Sequence, residues 1–511
     1  MSSTRLISAL IALSWCISVN AQSSSVKKPN IIMFVVDDMG WQDCSVPFWS
    51  EATPLNRRYR TPGMERLAAE GVKMTRAYAA SVCTPSRVSM ITGMNPTRHH
   101  VVNWTSPFRD RNTDNPDGEM RPAVWNHNGL SPVPGIPSTV HATPLPALLN
   151  EAGYQTIHVG KAHWGSSGTP GSNPLALGFQ VNIAGHSAGH PQSYYSEDHF
   201  GNVPKRQPTV QAVPDLQAYH GTGTFLTEAL TQEALRSLEA PIRNKQPFFL
   251  HLSHYAVHTP IMADPRFLKR YLDMGLDSTE AAYATLVEGM DKSLSDLLDF
   301  LKVKGVDQNT IIFFLSDNGG LSLPGQRGGQ PHTHNLPLRA GKGSLYEGGI
   351  RNPMLIRWPG VVRPGSAMET PVSVEDLFPT ILDMAGIKNP KIIQTIDGKD
   401  LVPLLSGRTK DLGERPFFWH FPVKWTSQDG PAINFFSAVA RGDWKLVVSL
   451  RTGKKELYNI RKDIGETQDL AAQHPDKVRE LAVLLGERLK DMKTPMPGFK
   501  STGLQVPYPH E

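Results

Sequence analysis

Two short apolar runs constrain this chain more than any other feature. Pro29 to Val36 (Pro-Asn-Ile-Ile-Met-Phe-Val-Val) and Thr310 to Leu315 (Thr-Ile-Ile-Phe-Phe-Leu) are continuous and rich in β-branched and aromatic residues. Uninterrupted runs of this kind mark strands buried on both faces, which occur in sheets covered by helices on both sides. Each run ends in acid or amide: Asp37-Asp38-Met39-Gly40 after the first, Ser316-Asp317-Asn318-Gly319-Gly320 after the second. Open α/β sheets gather ligands at the C-terminal ends of their strands, and paired carboxylates there suit a hard divalent cation. Either acidic element alone reads as well as the start of a loop. Converging, they would complete an oxygen-only site.

The rest of the chain supplies what such a sheet needs. Further strands are expected at Val72 to Ala79, Tyr154 to Val159, Pro247 to Ser253 and Met354 to Trp358. Helices are expected at Pro62 to Gly71, Leu145 to Ala152, Gly223 to Leu238, Ser278 to Lys304 and Glu375 to Ala385. From about Pro390 the character changes to short alternating runs, Phe436 to Ala440, Trp444 to Leu450 and Glu456 to Asn459, followed by an amphipathic helix at Pro475 to Met492. The 511 residues therefore divide into a large α/β domain, 28–388, and a smaller antiparallel sheet with a helix, 389–511. Residues 1–21 read as a secretory signal: Arg5, an apolar stretch from Leu6 to Ile17, and Val19-Asn20-Ala21 as small residues for cleavage. That stretch is too short to span a bilayer, so the expectation is export to a periplasm or the exterior, without a stable membrane anchor. The net charge of +5 is spread along the chain and gives no reason to invoke nucleic acid. Cleavage would leave Cys44 and Cys83, a pair that could form one disulfide but no framework.

Cys83-Thr84-Pro85-Ser86-Arg87 follows the second expected strand, with Pro85 to Met90 as the first turns of a helix. This is either a buried thiol before a proline-initiated helix or a nucleophile at a helix N-terminus, where free N–H groups favour an anion. Cys-x-Pro-Ser-Arg with Thr92-Gly93 beyond it closely resembles the signature of the type I sulfatases. The resemblance extends from about Asn30 to Leu470. Gly160-Lys161-Ala162-His163 resembles the family's Gly-Lys-x-His element, His258-Thr259-Pro260 its His-x-Pro turn, and Lys342-Gly343-Ser344-Leu345-Tyr346-Glu347-Gly348-Gly349-Ile350-Arg351 its glycine-rich lysine loop. Lys161 and His163, two apart at a strand end, point to one side.

The resemblance implies a fold, an alkaline-phosphatase-like mixed sheet sandwiched by helices, and a chemistry. Cys83 would be oxidised by a maturase to formylglycine (3-oxoalanine), whose hydrate attacks sulfur. Asp37, Asp38, Asp317 and Asn318, together with residue 83, would hold a divalent cation, calcium in most of the family, with magnesium as the alternative. Oxygen donors suit these ions and not zinc. Arg87 would hold the hydrate, while Lys161, His163, His258 and Lys342 surround the sulfate. His258, assisted by Lys342, would protonate the departing sugar oxygen. His163 would help deprotonate the second geminal hydroxyl, which expels sulfate. The implied substrate is a sulfated carbohydrate. The segment Asn95 to Pro144, long and rich in Trp, His and Asn, is the expected recognition loop, with His100 and Asn103 as candidate sugar contacts. Asp38 to Trp49 and Arg98 to Trp104 resemble bacterial polysaccharide sulfatases, which favours a galactose or N-acetylgalactosamine sulfate or an ulvan- or galactan-type polymer. The competing readings are a phosphonate monoester or phosphodiester hydrolase of the same superfamily, and a non-catalytic sulfated-glycan binding protein.

Overall fold

The computed structural model describes residues 28–322 and 335–511, so the expected signal at 1–21 lies outside the described residues. Both apolar runs are strands, Asn30–Val36 and Thr310–Ser316, paired in parallel inside a nine-stranded sheet. Phe248–Ser253, Gln155–Gly160 and Val181–Ile183 continue it on one side, all parallel. On the other side comes Arg351–Arg357, antiparallel to both its neighbours, and then Val72–Tyr78, with the short Ser366–Met368 and Val372–Ser373 alongside. The sheet is mixed, as expected.

Strand alternation sorts the core into two layers. Ile31, Met33 and Val35 face one buried cluster and Ile32, Phe34 and Val36 the other, the period-two rule applied to a strand with no wet face. The first layer holds the helices Cys83–Thr92, Leu145–Glu151 and Leu377–Met384, through Val88, Leu148 and Phe378. The second holds Pro62–Glu70, Leu226–Arg243 and Ser278–Val303, through Leu67, Leu230 and Leu294.

The C-terminal segment forms a four-stranded antiparallel sheet, Pro416–Phe421, Phe436–Arg441, Trp444–Ser449 and Lys455–Asn459. One face packs Val439, Leu446 and Leu457 on Leu481, Leu485 and Leu489 of the helix Pro475–Asp491. The other continues the first layer through Phe417, Trp419, Ala438 and Val447, so the small sheet shares a core with the large one. Several elements depart from the sequence reading. Pro416–Phe421, Pro265–Asp273 and Val181–Ile183 are not among the expected elements, the helix Pro265–Asp273 being short though amphipathic. Leu226–Arg243 continues past Leu238 and through Pro241, which lies in its last turn, where little helix remains to break.

A buried ionic cluster fastens the small sheet to the large one. Lys445, fully buried, donates to Glu347 Oε1 at 2.9 Å and lies 2.9 Å from Glu466 Oε1. Glu347 also accepts from Tyr78 Oη at 3.1 Å, and its own N–H donates to Glu466 Oε2 at 2.7 Å. Removing the cation would leave Glu466 without a cation and Glu347 with Arg351 alone, 3.4 Å away, at a cost of about 3–5 kcal/mol. Lys445→Met is therefore expected to lower the urea midpoint by that amount at unchanged slope. A loss under about 1 kcal/mol would mean the cluster does not hold the two sheets together.

Candidate active site

The strand order puts the acids side by side. Val36 lies opposite Ser316 in the parallel pair, so Asp37-Asp38 and Asp317-Asn318 leave the sheet at adjacent points. Asp317 N donates to Val36 O at 3.1 Å, and Met39 N to Ser316 Oγ at 3.0 Å. Asp38 adopts a left-handed backbone, φ 62°, a conformation that tertiary contacts must hold in place. The reversed strand Arg351–Arg357 starts where its parallel neighbours end, and this delivers the glycine-rich loop to the same edge. Lys342 N donates to Gly320 O at 3.0 Å and Gly343 N to Ser81 O at 2.7 Å, so the loop is stitched between the Asp-Asn turn and the segment before Cys83.

Each buried acid has a cation. Arg87 Nε donates to Asp317 Oδ2 at 2.8 Å, with Nη2 also 2.8 Å from that oxygen, and Nη1 donates to Ser253 Oγ and Lys161 O. Lys161 Nζ donates to Asp37 Oδ2 at 2.5 Å. Lys342 Nζ donates to Asp38 at 2.6 and 2.8 Å. Isolated ions at such depth would each cost several kcal/mol, so the pairing is a condition of folding. Burial pushes the Asp37 carboxyl well above its ordinary value, further than Lys161 pulls it down. At Asp38 burial acts the same way, but the Lys342 ammonium outweighs it and the carboxyl ends below its usual range.

Cys83 opens the helix Cys83–Thr92, and its thiol is pushed up by burial despite Lys161 and Lys342. His163 Nδ1 lies 3.5 Å from Cys83 Sγ. The opposite nitrogen, Nε2, is 3.0 Å from Thr105 O, which can only accept, so Nε2 carries the proton and Nδ1 faces Cys83 as a base. Burial and the Lys161 charge keep the ring neutral. Lys161 and His163 both reach the site, but not by strand alternation. Gln155–Gly160 has already ended, and His163 turns inward through a left-handed backbone, φ 56°. His258 has the opposite tautomer. Nδ1 donates to Thr259 O at 2.9 Å, and Nε2 accepts from Lys342 Nζ at 3.0 Å, so Lys342 is the cation of that pair. Burial and Lys342 lower the imidazole well below its ordinary value.

A cleft of about 680 Å³ opens above Cys83, His163, His258 and Lys342. The Asn95 to Pro144 segment lines one side of it with Trp104, Phe108 and Arg111. His100 and Asn103 take other positions. His100 Nε2 donates to Met492 O at 3.0 Å, and Arg98 pairs with Asp397, so this stretch braces the C-terminal helix instead of lining the cleft. The reason is the helix Pro96–His99, which turns those side chains towards the small sheet. Asn103 is fully buried, donating to Asp114 Oδ1 at 3.1 Å one layer behind the wall. Sequence reasoning missed Gly189, where a Cβ would come within 2.6 Å of the His163 ring, and Trp425, which reaches the cleft from the small sheet. His190, unassigned from sequence, stacks on His258 with ring centroids 5.7 Å apart. Neither spacing nor periodicity marks these positions, because each is set by packing between distant segments.

With this geometry established, comparison with known proteins is decisive. The family model described as Sulfatase matches residues 29–387. The chain belongs to the sulfatase family. It is a sulfuric ester hydrolase. A second model, N-sulphoglucosamine sulphohydrolase, C-terminal, matches residues 341–495. A sulfatase of Formosa agariphila is 28% identical over 95% of this chain and 91% of its own length. Human N-acetylgalactosamine-6-sulfatase is 34% identical over 78% of this chain and 69% of its own. The crystal structure of Ps i-CgsB in complex with k-i-k-neocarrahexaose superposes with a TM-score of 0.70 at 26% identity, covering 91% of this chain and 93% of that one.

The acidic floor of this sulfatase fits a divalent cation. Asp37 Oδ1 and Asn318 Oδ1 are buried oxygens without a hydrogen-bond partner. One ligand atom each from Asp37, Cys83 and Asp317 lies within 4.8 Å of the others. Oxygens of carboxylate and amide are the donor set of calcium or magnesium. Carboxylates so engaged would rely less on Lys161 and Lys342. Adding calcium or magnesium to chelator-treated protein is expected to raise the melting temperature, by the equivalent of about 2.7 kcal/mol at a hundredfold excess over Kd. Asp317→Asn should flatten that response. An unchanged melting curve in the wild type would rule the cation out.

Proposed function

We propose that this sulfatase hydrolyses sulfate esters of a sulfated carbohydrate, with residue 83 as nucleophile after oxidation to formylglycine and with calcium or magnesium among Asp37, Asp38, Asp317 and Asn318. The observation that supports it most is the grouping around Cys83: His163 Nδ1 at 3.5 Å, Lys342 and His258 joined at 3.0 Å, and Arg87 clamped beneath. In this reading Lys161 and Lys342 face the charge that builds on the sulfuryl oxygens, an electrostatic contribution that is large because the groups are fixed in advance and dry. A divalent cation, when bound, adds Lewis-acid polarisation. One hydroxyl of hydrated residue 83 attacks sulfur, and the Lys342–His258 pair delivers a proton to the departing sugar oxygen. His163 Nδ1 then takes the proton of the other hydroxyl, so that the carbonyl re-forms and sulfate leaves. A serine has no second hydroxyl for that step. Cys83→Ser is accordingly expected to release at most one equivalent of alcohol per chain and no free sulfate. In active wild-type protein, peptide mass should show –CH2SH replaced by –CHO at position 83. An unmodified thiol in an active preparation would overturn the mechanism.

The proton delivered to the leaving group makes a graded prediction. His258→Gln should lower kcat by about 10²–10⁴ on sugar sulfates, whose alkoxide leaves poorly. On an aryl sulfate with an acidic phenol the loss should be far smaller. Equal losses on both would remove His258 from proton delivery.

For the sugar we favour galactose or N-acetylgalactosamine. Human N-acetylgalactosamine-6-sulfatase and the neocarrahexaose-bound structure are among the relatives. A panel of 2-, 3-, 4- and 6-sulfated galacto- and gluco-configured sugars tests it, and sulfate release confined to gluco-configured members would overturn the preference. The chain's apolar leader supports export, and no described helix is long and apolar enough to cross a membrane.

A further inference from the structure

The cleft extends well beyond the sulfate seat, and its outer part has a chemistry of its own. Its volume of about 680 Å³ lies in the range of roughly 300–1,000 Å³ that encloses a drug-sized ligand. A sulfate over Cys83 and the ring that carries it leave room for a neighbouring sugar. Two segments remote in sequence wall this part: Trp104, Phe108 and Arg111 on one side, Trp425 and Thr426 on the other. Asn115 locks them together, donating from N to Lys424 O at 2.7 Å and from Nδ2 to Trp425 O at 2.7 Å. Thr113 Oγ1 donates to Trp104 O at 2.7 Å and fixes the same wall. The Trp425 ring lies against Gly343, the residue after Lys342, where a Cβ would come within 2.2 Å of it. Both walls are thus set before any ligand arrives.

Arg111 is the unmatched charge in this arrangement. It is exposed, with its guanidinium 5.5 Å from the Phe108 ring centroid, and among the described residues no carboxylate pairs with it. Asp114 lines the same cleft, but its oxygens accept from Asn103 Nδ2 at 3.1 Å and Trp125 Nε1 at 3.0 Å. A guanidinium presents forked donors that match a carboxylate or sulfate, and an aromatic face beneath it favours keeping it there.

We propose that the outer cleft is a second anion subsite, in which Arg111 binds a carboxylate or sulfate on the sugar adjoining the one that is desulfated, with Trp425 as the apolar wall. The inference rests on the sulfatase reading above and narrows its substrate to glycans bearing anions on neighbouring residues.

The test compares kcat/KM on three disaccharides that carry the same scissile sulfate. Their neighbouring sugar is neutral, a uronate, or a second sulfate ester. Wild type should favour one or both anionic neighbours by about tenfold or more, chiefly through KM, and added salt should weaken the preference. Arg111→Ala should abolish that ratio, and Arg111→Lys should keep part of it. Arg109→Ala, which removes an exposed cation outside the cleft, should leave it intact, and melting temperatures report whether each variant is folded. Whichever neighbour loses more in Arg111→Ala identifies the anion. A wild type indifferent to the neighbour, or an Arg111→Ala that preserves the ratio, would overturn the subsite while leaving the sulfatase reading in place. Failure of the wild type to release sulfate from any ester, a simple aryl sulfate included, would overturn that reading itself.

Discussion

Arg87 and Asp317 meet at 2.8 Å with almost no exposure, and they tie the helix that begins at Cys83 to the end of a central strand. The same economy governs the neighbouring pairs, Lys161 with Asp37 and Lys342 with Asp38. Carboxylates at this depth are tolerated only with partners, and the cations only with carboxylates. The result is a set of charges fixed in position by their mutual need, on which a sulfate ester can act without waiting for side chains to reorganise.

Topology explains how so many segments reach one place. Four parallel strands end at the same edge, carrying Asp37, Lys161, His254 and Asp317 in their C-terminal extensions. A fifth strand of the parallel set, Val72–Tyr78, leads to Cys83. Lys342 would lie at the wrong end if its strand followed the same direction. Because Arg351–Arg357 runs antiparallel, the loop before it, and not the loop after it, arrives at the site.

Much of this was legible in sequence, for identifiable reasons. Continuous β-branched runs announce doubly buried strands, and acids or glycines placed just after them stand out against the apolar background. Cys83, His163, His258 and Lys342 stand in short motifs and line one cleft, while Lys161 lies fully buried beneath it on Asp37. What escaped depends on contacts between distant segments. His100 and Asn103 looked like recognition residues because they sit in a long polar segment, yet the local helix at Pro96–His99 and the buried Asp114 turn them elsewhere. Trp425 lies in a stretch without periodicity and matters only because Gly343 leaves room for its ring. The tautomers of His163 and His258 follow from Thr105 and Thr259 carbonyls, which no spacing rule could have named.

The close approach of Trp425 to Gly343 has a consequence for how the site is divided. The paired charges around Cys83 are locked into the large sheet, where almost any change unbalances buried charge. The outer wall comes from a loop between two strands of the small sheet, which is held by backbone carbonyls and by Asn434, whose Oδ1 accepts from Trp425 N at 2.8 Å. That loop contains no group paired with the buried carboxylates, but it touches the glycine-rich loop through Ser344 Oγ on Pro431 O and Leu345 N on Ala432 O. The buried ion pairs and the outer wall are thus carried by parts of the chain under different constraint, and Gly343 is where the two meet.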